Sequence, residues 1–125
     1  MSTVVVGYVP KPEGEAALDK AIEEARLRGS DLIVVHSHRS RTEGDEPDLT
    51  SVHAKLEGSG VSYDVRQLER GFEAAEDLVS VAESQDAELI VIGLRRRTPV
   101  GKLILGSNAQ RVLLDAHCPV LAVKA

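Results

Sequence analysis

The residues best suited to chemistry lie in one stretch of the chain, from Val91 to Ser107. This stretch combines glycines with cationic side chains, and these residues are Gly93, Arg95, Arg96, Arg97, Gly101, Lys102 and Gly106. Glycine lets a phosphate group approach the backbone closely, and the free amides at a helix start favour negative charge. An apolar strand-like run precedes the stretch, and Ser107 begins a helix-like segment. The spacing therefore predicts a site for a small anion in a loop between a strand and a helix.

Several features of this loop have an alternative interpretation. Gly106 and Ser107 can contact a phosphate through amides and a hydroxyl, but serine is also a common N-cap residue. Arginine side chains suit phosphate, yet adjacent ones cannot all face one ligand, and a solvated basic loop is the alternative. A P-loop is excluded, because Arg96 replaces its first glycine and Leu103 replaces its Ser or Thr.

Other reactive side chains do not form a catalytic or metal-binding pattern. His36 and His38 could share a metal at a strand end, but no third ligand follows at a suitable spacing. Cys118 precedes Pro119 and is expected to pack at the entry to the last strand, and no base is apparent that would make it a nucleophile. We therefore predict no catalytic residue and no metal requirement.

Composition excludes several classes of protein. The 125 residues fit one domain, and we expect it to span 1–125. Aromatic residues make up only 2% and the net charge is −5, which argues against nucleic-acid and membrane-surface binding. The single cysteine suits a reducing compartment, and neither a secretory signal nor a membrane-spanning run is visible. These features predict a cytoplasmic protein whose ligand is small and anionic.

Strand-like and helix-like segments alternate along the chain. Aliphatic runs predict strands at 3–8, 32–35, 61–68, 89–92 and 120–123, and helical spacing predicts helices at 12–28, 49–56, 72–85 and 107–116. The polar segment from Ser37 to Pro47 is expected to be a loop. This order predicts a parallel sheet with helices on both faces, and the third and last strands are expected at its edges. Ligands bind such sheets where strand order reverses, and there the loops after Tyr8, Val35 and Ile92 should meet.

The glycine spacing resembles that of the universal stress protein family, whose nucleotide motif is Gly, two residues, Gly, nine residues, Gly and Ser or Thr. Gly93 fits the first position and Gly106-Ser107 the last pair, while Arg96 stands where the second glycine belongs. Further matching segments are Glu13 to Leu18, Gln110 to Leu113 and Cys118 to Leu121. The resemblance covers essentially the whole chain.

The resemblance implies a fold, a ligand and a site. The fold would be a three-layer α/β sandwich with a five-stranded parallel sheet, adenine-nucleotide α-hydrolase-like. Family members act in stress responses, and some bind ATP or AMP. The phosphates would contact a set of residues from the basic loop and the following helix, namely Gly93, Arg95, Arg96, Gly106, Ser107 and Asn108. Val9 and Val35 would border the base or ribose, with the Val35 backbone able to hydrogen-bond the base.

Two departures from the family pattern keep a second hypothesis open. Val9 replaces an aspartate that contacts the nucleotide in the family, and Arg96 replaces a glycine. The alternative is a dimeric interaction module with an anion-only or vestigial pocket, paired through the last strand, Val120 to Val123. Weak ATP hydrolysis is a third possibility, and it follows from family analogy alone.

Overall fold

The computed structural model of this chain describes residues 2–38, 49–69, 74–94 and 107–124. The side chains of residues 37, 38, 68, 69, 74 and 107 are outside this description. The elements follow one another as β1 (Thr3–Gly7), α1 (Pro12–Arg28), β2 (Asp31–His38), α2 (Thr50–Glu57), β3 (Tyr63–Glu69), α3 (Ala74–Ser84), β4 (Leu89–Leu94), α4 (Ser107–Asp115) and β5 (Val120–Lys124). This alternation confirms the order of strands and helices predicted from the sequence.

The five strands form one parallel sheet in the order β3-β2-β1-β4-β5. Strand β1 lies in the middle, where Val5 is in register with Ile33 of β2 and Ile90 of β4. From β1 the chain first adds strands on one side and later on the other, so strand order reverses between β1 and β4. Strands β3 and β5 lie at the edges of the sheet, as predicted.

Successive side chains of the central strands point to opposite faces of the sheet and are buried on both. Helices therefore cover both faces. From β1, Val4 and Val6 pack in one apolar cluster with buried residues of α1 and α2. Val5 packs in a second cluster, with buried residues of α3 and α4. This arrangement of helices, sheet and helices confirms the predicted three-layer α/β sandwich. None of the helices in the described part of the chain is long and apolar enough to cross a membrane.

Helix α1 shows how local sequence sets the ends of an element. Pro12 occupies the first helical turn, where its missing amide costs nothing, and Glu13 and Glu15 lie in that turn. At the other end Gly29 adopts the left-handed conformation, with φ of 65°. The Ser30 amide then donates to the carbonyl of Ala25 at 2.9 Å. Glycine takes this conformation without a steric penalty, so the helix stops where the sequence predicts.

Strand β2 is longer than predicted. Ser37 and His38 continue it, in register with Leu68 and Glu69 of β3, although the sequence placed both in a loop. The prediction was wrong because it followed apolar side chains, whereas strand pairing depends on backbone hydrogen bonds. The rest of the predicted loop, residues 39–47, lies outside the described residues.

Candidate functional site

A cavity of about 130 Å³ lies at the carboxyl ends of β1 and β4, where strand order reverses. Its lining is mostly aliphatic and comes from three strands and from α1, α3 and α4. The lining residues are Gly7, Tyr8, Val9, Glu13, Gly14, Val35, Ala75, Leu78, Ile92, Gly93, Asn108, Ala109 and Val112. Open α/β sheets bind ligands at this position, so the cavity is the candidate site.

The cavity exists because β1 ends in a glycine on this face. Gly7 follows Val5 on the side of α3 and α4, and it is in register with Val35. A side-chain carbon added to Gly7 would lie 2.9 Å from Cδ2 of Leu78, so even one methyl group would crowd the cavity wall. The missing side chain therefore leaves space between the sheet and α3.

Two other glycines hold the connection between β1 and α1 against the sheet. A carbon added to Gly14 would lie 1.7 Å from the carbonyl oxygen of Val9, and one added to Gly93 would lie 1.9 Å from that of Glu13. The Lys11 amide also donates to the Val9 carbonyl at 2.8 Å. Backbone packs directly on backbone here, so one wall of the cavity is closely fixed. Gly93 thus has a packing role in addition to its predicted contact with a phosphate.

The side chain of Tyr8 anchors the same connection from the opposite face of the sheet. It is buried, and its hydroxyl donates to Glu15 of α1. Lys55 of α2 lies 2.8 Å from Oε1 of Glu15 and 3.0 Å from Oδ1 of Asp19. The backbone amide of Tyr8 donates to the Val35 carbonyl at 2.9 Å, so β1 and β2 stay joined beyond the last strand pair.

This polar network changes the ionisation of its members. Burial, followed by the hydrogen bond and negative charge of Glu15, raises the pKa of Tyr8 to about 12. Partial burial alone would raise the pKa of Glu15, but hydrogen bonds from Lys55 and Tyr8 outweigh it and lower that pKa. The hydrogen bond with Glu15 raises the pKa of Lys55. At neutral pH the network therefore holds a neutral phenol beside an ion pair.

Two helices begin at the carboxyl edge of the sheet and contribute their first turns to the cavity. Glu13 and Gly14 come from α1, and Asn108 and Ala109 come from α4. The unpaired amides of a helix start carry partial positive charge. An apolar cavity with this charge at its rim suits a ligand that has an apolar part and an anionic group.

The structure brings four of the predicted site residues together at the cavity: Val9, Val35, Gly93 and Asn108. Val9 is 39% exposed at the cavity, whereas Val35 is buried. Ser107 begins α4, and its side chain is outside the described residues. Arg95, Arg96 and Gly106 lie outside the described residues, so their roles stay predictions.

The contributions of α1 and α3 were not predicted from the sequence. Glu13 and Gly14 line the cavity from α1, and Ala75 and Leu78 line it from α3. Ala75 and Leu78 could have been found, because they belong to the apolar residues at helical spacing between 72 and 85. Gly14 was harder to predict. A glycine inside a helix indicates that another part of the chain lies close to it, but the sequence does not show which part.

The remaining reactive side chains lie away from the cavity or inside strands. His36 is buried in β2, and its ring centroid lies 6.1 Å from that of Tyr8. Burial raises the pKa of the Cys118 thiol, which makes the nucleophilic thiolate scarcer. Within the described ranges, no group of three or more His, Cys, Asp or Glu side chains could hold a metal ion.

Comparison with known proteins gives consistent matches over the whole chain. The model of the universal stress protein family matches residues 1–124. A universal stress protein of Mycolicibacterium smegmatis is 45% identical over 130 residues, covering 97% of this chain and 96% of that protein.

Solved structures give the same result. A universal stress protein from Archaeoglobus fulgidus has a TM-score of 0.76 at 38% identity, with 99% of each chain covered. Another structure from that organism, in complex with dAMP, has a TM-score of 0.69 at 32% identity. That match covers 99% of this chain and 98% of the other. These likenesses confirm the predicted adenine-nucleotide α-hydrolase-like fold.

Proposed function

This chain belongs to the universal stress protein family, and from that premise we propose that it is a small module that binds an adenine nucleotide, ATP or AMP, in stress response. The observation that carries the proposal is the aliphatic cavity at the switch point of the sheet, with the start of α4 beside it. The structure of a relative in complex with dAMP supports it, because that chain is 32% identical to this one.

The lining of the cavity suits the base of the nucleotide. The cavity has about 130 Å³, opens to solvent and is walled mostly by aliphatic side chains, which favour the flat face of a purine. In our proposal the flat base contacts Val35, Leu78 and Ile92, and the phosphates lie at the start of α4 beside Asn108. The side chains predicted to complete the phosphate site are those of Arg95, Arg96 and Ser107, together with the backbone of Gly93 and Gly106.

The Val35 carbonyl already accepts a hydrogen bond from the Tyr8 amide. A carbonyl oxygen has two lone pairs, so the proposed hydrogen bond to the base needs the second one. Val9 contributes only an apolar surface. Most of the affinity is therefore expected from the cavity and from the phosphates.

Calorimetric titration with AMP and ATP at millimolar concentration tests the proposal. The matched variants are Ala109→Glu, which adds a carboxylate at the cavity, and Gln110→Glu, which adds one at the neighbouring exposed position. The two positions are adjacent near the start of α4, so the added charges have similar effects on the helix itself. We expect Ala109→Glu to weaken binding by about tenfold or more and Gln110→Glu by less than about twofold. Absence of binding to the unmodified chain would refute the proposal.

The second candidate function is a homodimeric interaction module with an anion-only pocket, joined through the last strand. The edge position of β5 favours it, as do Leu113 and Leu114 of α4, which are 42% and 80% exposed. An edge strand has unpaired backbone groups that can pair with a second copy. Sedimentation of the full chain tests the pairing, and Ala122→Lys, at an exposed position of β5, should shift a dimer towards monomer.

Three further features predicted from the sequence stay predictions. They are a single domain spanning 1–125, location in the cytoplasm, and at most weak hydrolysis of ATP. A hydrolysis assay on purified chain, with Ala109→Glu as the control for contaminating activity, tests the last of these.

A further inference from the structure

We propose that Arg111 of α4 binds the second and third phosphates of ATP and that Glu76 of α3 competes with them for its side chain, an inference that rests on the proposed function. In this structure Nη2 of Arg111 lies 2.7 Å from Oε1 of Glu76. Nε of Arg111 lies 3.4 Å from Oδ2 of Asp115, one turn further along α4. Two carboxylates therefore hold the guanidinium group.

The ion pair between Glu76 and Arg111 joins the two helices on one side of the cavity. Ala75, which precedes Glu76 on α3, lines the cavity, and Asn108 lines it from α4. Residues three apart on a helix are neighbours on its surface, with about 5–6 Å between their Cβ atoms, so Arg111 lies next to Asn108. The guanidinium group is thus attached about one helical turn from the proposed position of the first phosphate.

The two ion pairs draw the Arg111 side chain away from the start of α4. Helical side chains lean towards the N-terminus of their helix, so a long side chain at this position ordinarily covers the first turn of α4. Asp115 lies in the opposite direction along the helix, and Glu76 belongs to a different helix. Rotation of the side chain alone is enough to return the guanidinium group to the helix start.

A nucleotide can compete for Arg111 because the ion pairs that hold it are weak. The side chains of Arg111 and Glu76 are each 44% exposed, and that of Asp115 is 52% exposed. Water screens ion pairs of this exposure, so their net contribution to stability is small. Phosphate oxygens can instead accept two parallel hydrogen bonds from a guanidinium group, and the start of α4 adds partial positive charge. The phosphates should therefore displace the two carboxylates.

This competition makes the site sensitive to the number of phosphates in its ligand. Adenosine has no phosphate and leaves the ion pair between Glu76 and Arg111 intact. AMP places one phosphate at the helix start, whereas the second and third phosphates of ATP continue along α4 to Arg111. Arg111 therefore favours ATP over AMP, and Glu76 lowers the affinity for ATP by holding Arg111.

The test is calorimetric titration of the full chain with adenosine, AMP and ATP at low ionic strength, where exposed charges are screened least. We expect Arg111→Gln to weaken ATP binding by about tenfold and to leave adenosine binding within about twofold. Glu76→Gln should tighten ATP binding by about twofold to fivefold, an effect that should vanish in a chain that also carries Arg111→Gln. The control variant is Glu83→Gln, which makes the same change at an exposed position near the other end of α3 and should alter no affinity.

The outcomes separate this inference from the proposed function. If Arg111→Gln weakens adenosine and ATP equally, or weakens neither, the role of Arg111 is refuted while nucleotide binding stands. If Glu76→Gln tightens ATP binding equally with and without Arg111→Gln, Glu76 acts by repulsion alone and the competition is refuted. If neither the unmodified chain nor Glu76→Gln binds any of the three compounds, both proposals fail. Arg111→Lys keeps the charge without the guanidinium fork, so it should restore part of the preference for ATP over AMP.

Discussion

The two faces of the sheet differ at the carboxyl end of β1, although both are packed with aliphatic side chains further down. On the side of α1 and α2, Tyr8 fills the end of the layer and its hydroxyl donates to Glu15. On the side of α3 and α4, Gly7 leaves a cavity of about 130 Å³. One face is therefore closed by a polar network, and the other is open to a ligand.

The difference arises from two consecutive residues. Successive side chains of a strand point to opposite faces, so Gly7 and Tyr8 end the two layers of the core. Tyrosine has a large ring with one polar atom, and glycine has no side chain at all. The chain thus combines a rigid support with a ligand-sized space, and the same backbone segment serves both.

The largest effect is expected from Gly14→Ala, which tests whether backbone packing fixes the cavity wall. The added carbon would lie 1.7 Å from the Val9 carbonyl oxygen, and the atoms in the way are backbone. Alanine favours a helix over glycine by about 1 kcal/mol, but the clash outweighs this gain. We expect the free energy of unfolding to fall by about 3 kcal/mol, measured by chemical denaturation.

Gly58→Ala is the matched control for this change. Gly58 has φ of −85°, and an added carbon would lie 3.8 Å from the nearest oxygen, that of Ala54. This is ordinary van der Waals contact, so stability should change by less than about 1 kcal/mol. Equal losses in the two variants would show that the contact between Gly14 and Val9 does not constrain the structure.

A smaller effect is expected from Tyr8→Phe, which removes the hydroxyl from the closed face. Phenylalanine keeps the buried ring, but Glu15 loses a hydrogen-bond donor. Hydrogen bonds to charged groups contribute about 1.5–3 kcal/mol, and Glu15 is partly solvated, so we expect a loss near the lower value. Chemical denaturation at pH 8 measures it.

The pH dependence of that loss identifies its cause. The pKa of Tyr8 is raised to about 12 in the folded chain, from an ordinary value near 10. A raised pKa stabilises the fold below pH 10, and this contribution is lost as pH rises towards 12. The stability gap between the unmodified chain and Tyr8→Phe should therefore narrow above pH 10. A gap that stays constant up to pH 11.5 would assign the loss to packing.

Much of the fold could be predicted because apolar periodicity reports burial directly. The bounds of helix α1 were predicted closely from apolar residues at helical spacing between 12 and 28, and the central strands were predicted from their aliphatic runs. The end of β2 was missed, because Ser37 and His38 are held by backbone pairing with β3, which side-chain polarity does not reveal.

The site was only partly predictable. Gly93 and Asn108 were predicted from the glycine motif and the helix that follows it. Val9 and Val35 were predicted near the loops at the carboxyl ends of the strands, which meet where strand order reverses. All four residues line the cavity. Glu13 and Gly14 were missed, since contact between α1 and the end of β4 joins residues about 80 positions apart. Only the three-dimensional packing shows that two glycines bring Glu13 to the cavity.

The smallest effect on stability is expected from Gly7→Ala, which makes the open face resemble the closed one. The added carbon would meet the end of the Leu78 side chain at 2.9 Å, and that side chain can rotate away. Stability should fall by only about 1 kcal/mol. One methyl group in a binding pocket changes affinity by about tenfold or more, so nucleotide binding should weaken by at least that factor.

Gly58→Ala again serves as the control, because it makes the same change far from the cavity lining and should leave nucleotide affinity unaltered. Thermal denaturation and calorimetry on the same samples separate the two effects. If Gly7→Ala bound nucleotide as well as the unmodified chain, the space beside Gly7 would not be where the base lies. The open face would then owe its cavity to imperfect packing, and the contrast with Tyr8 would have no functional meaning.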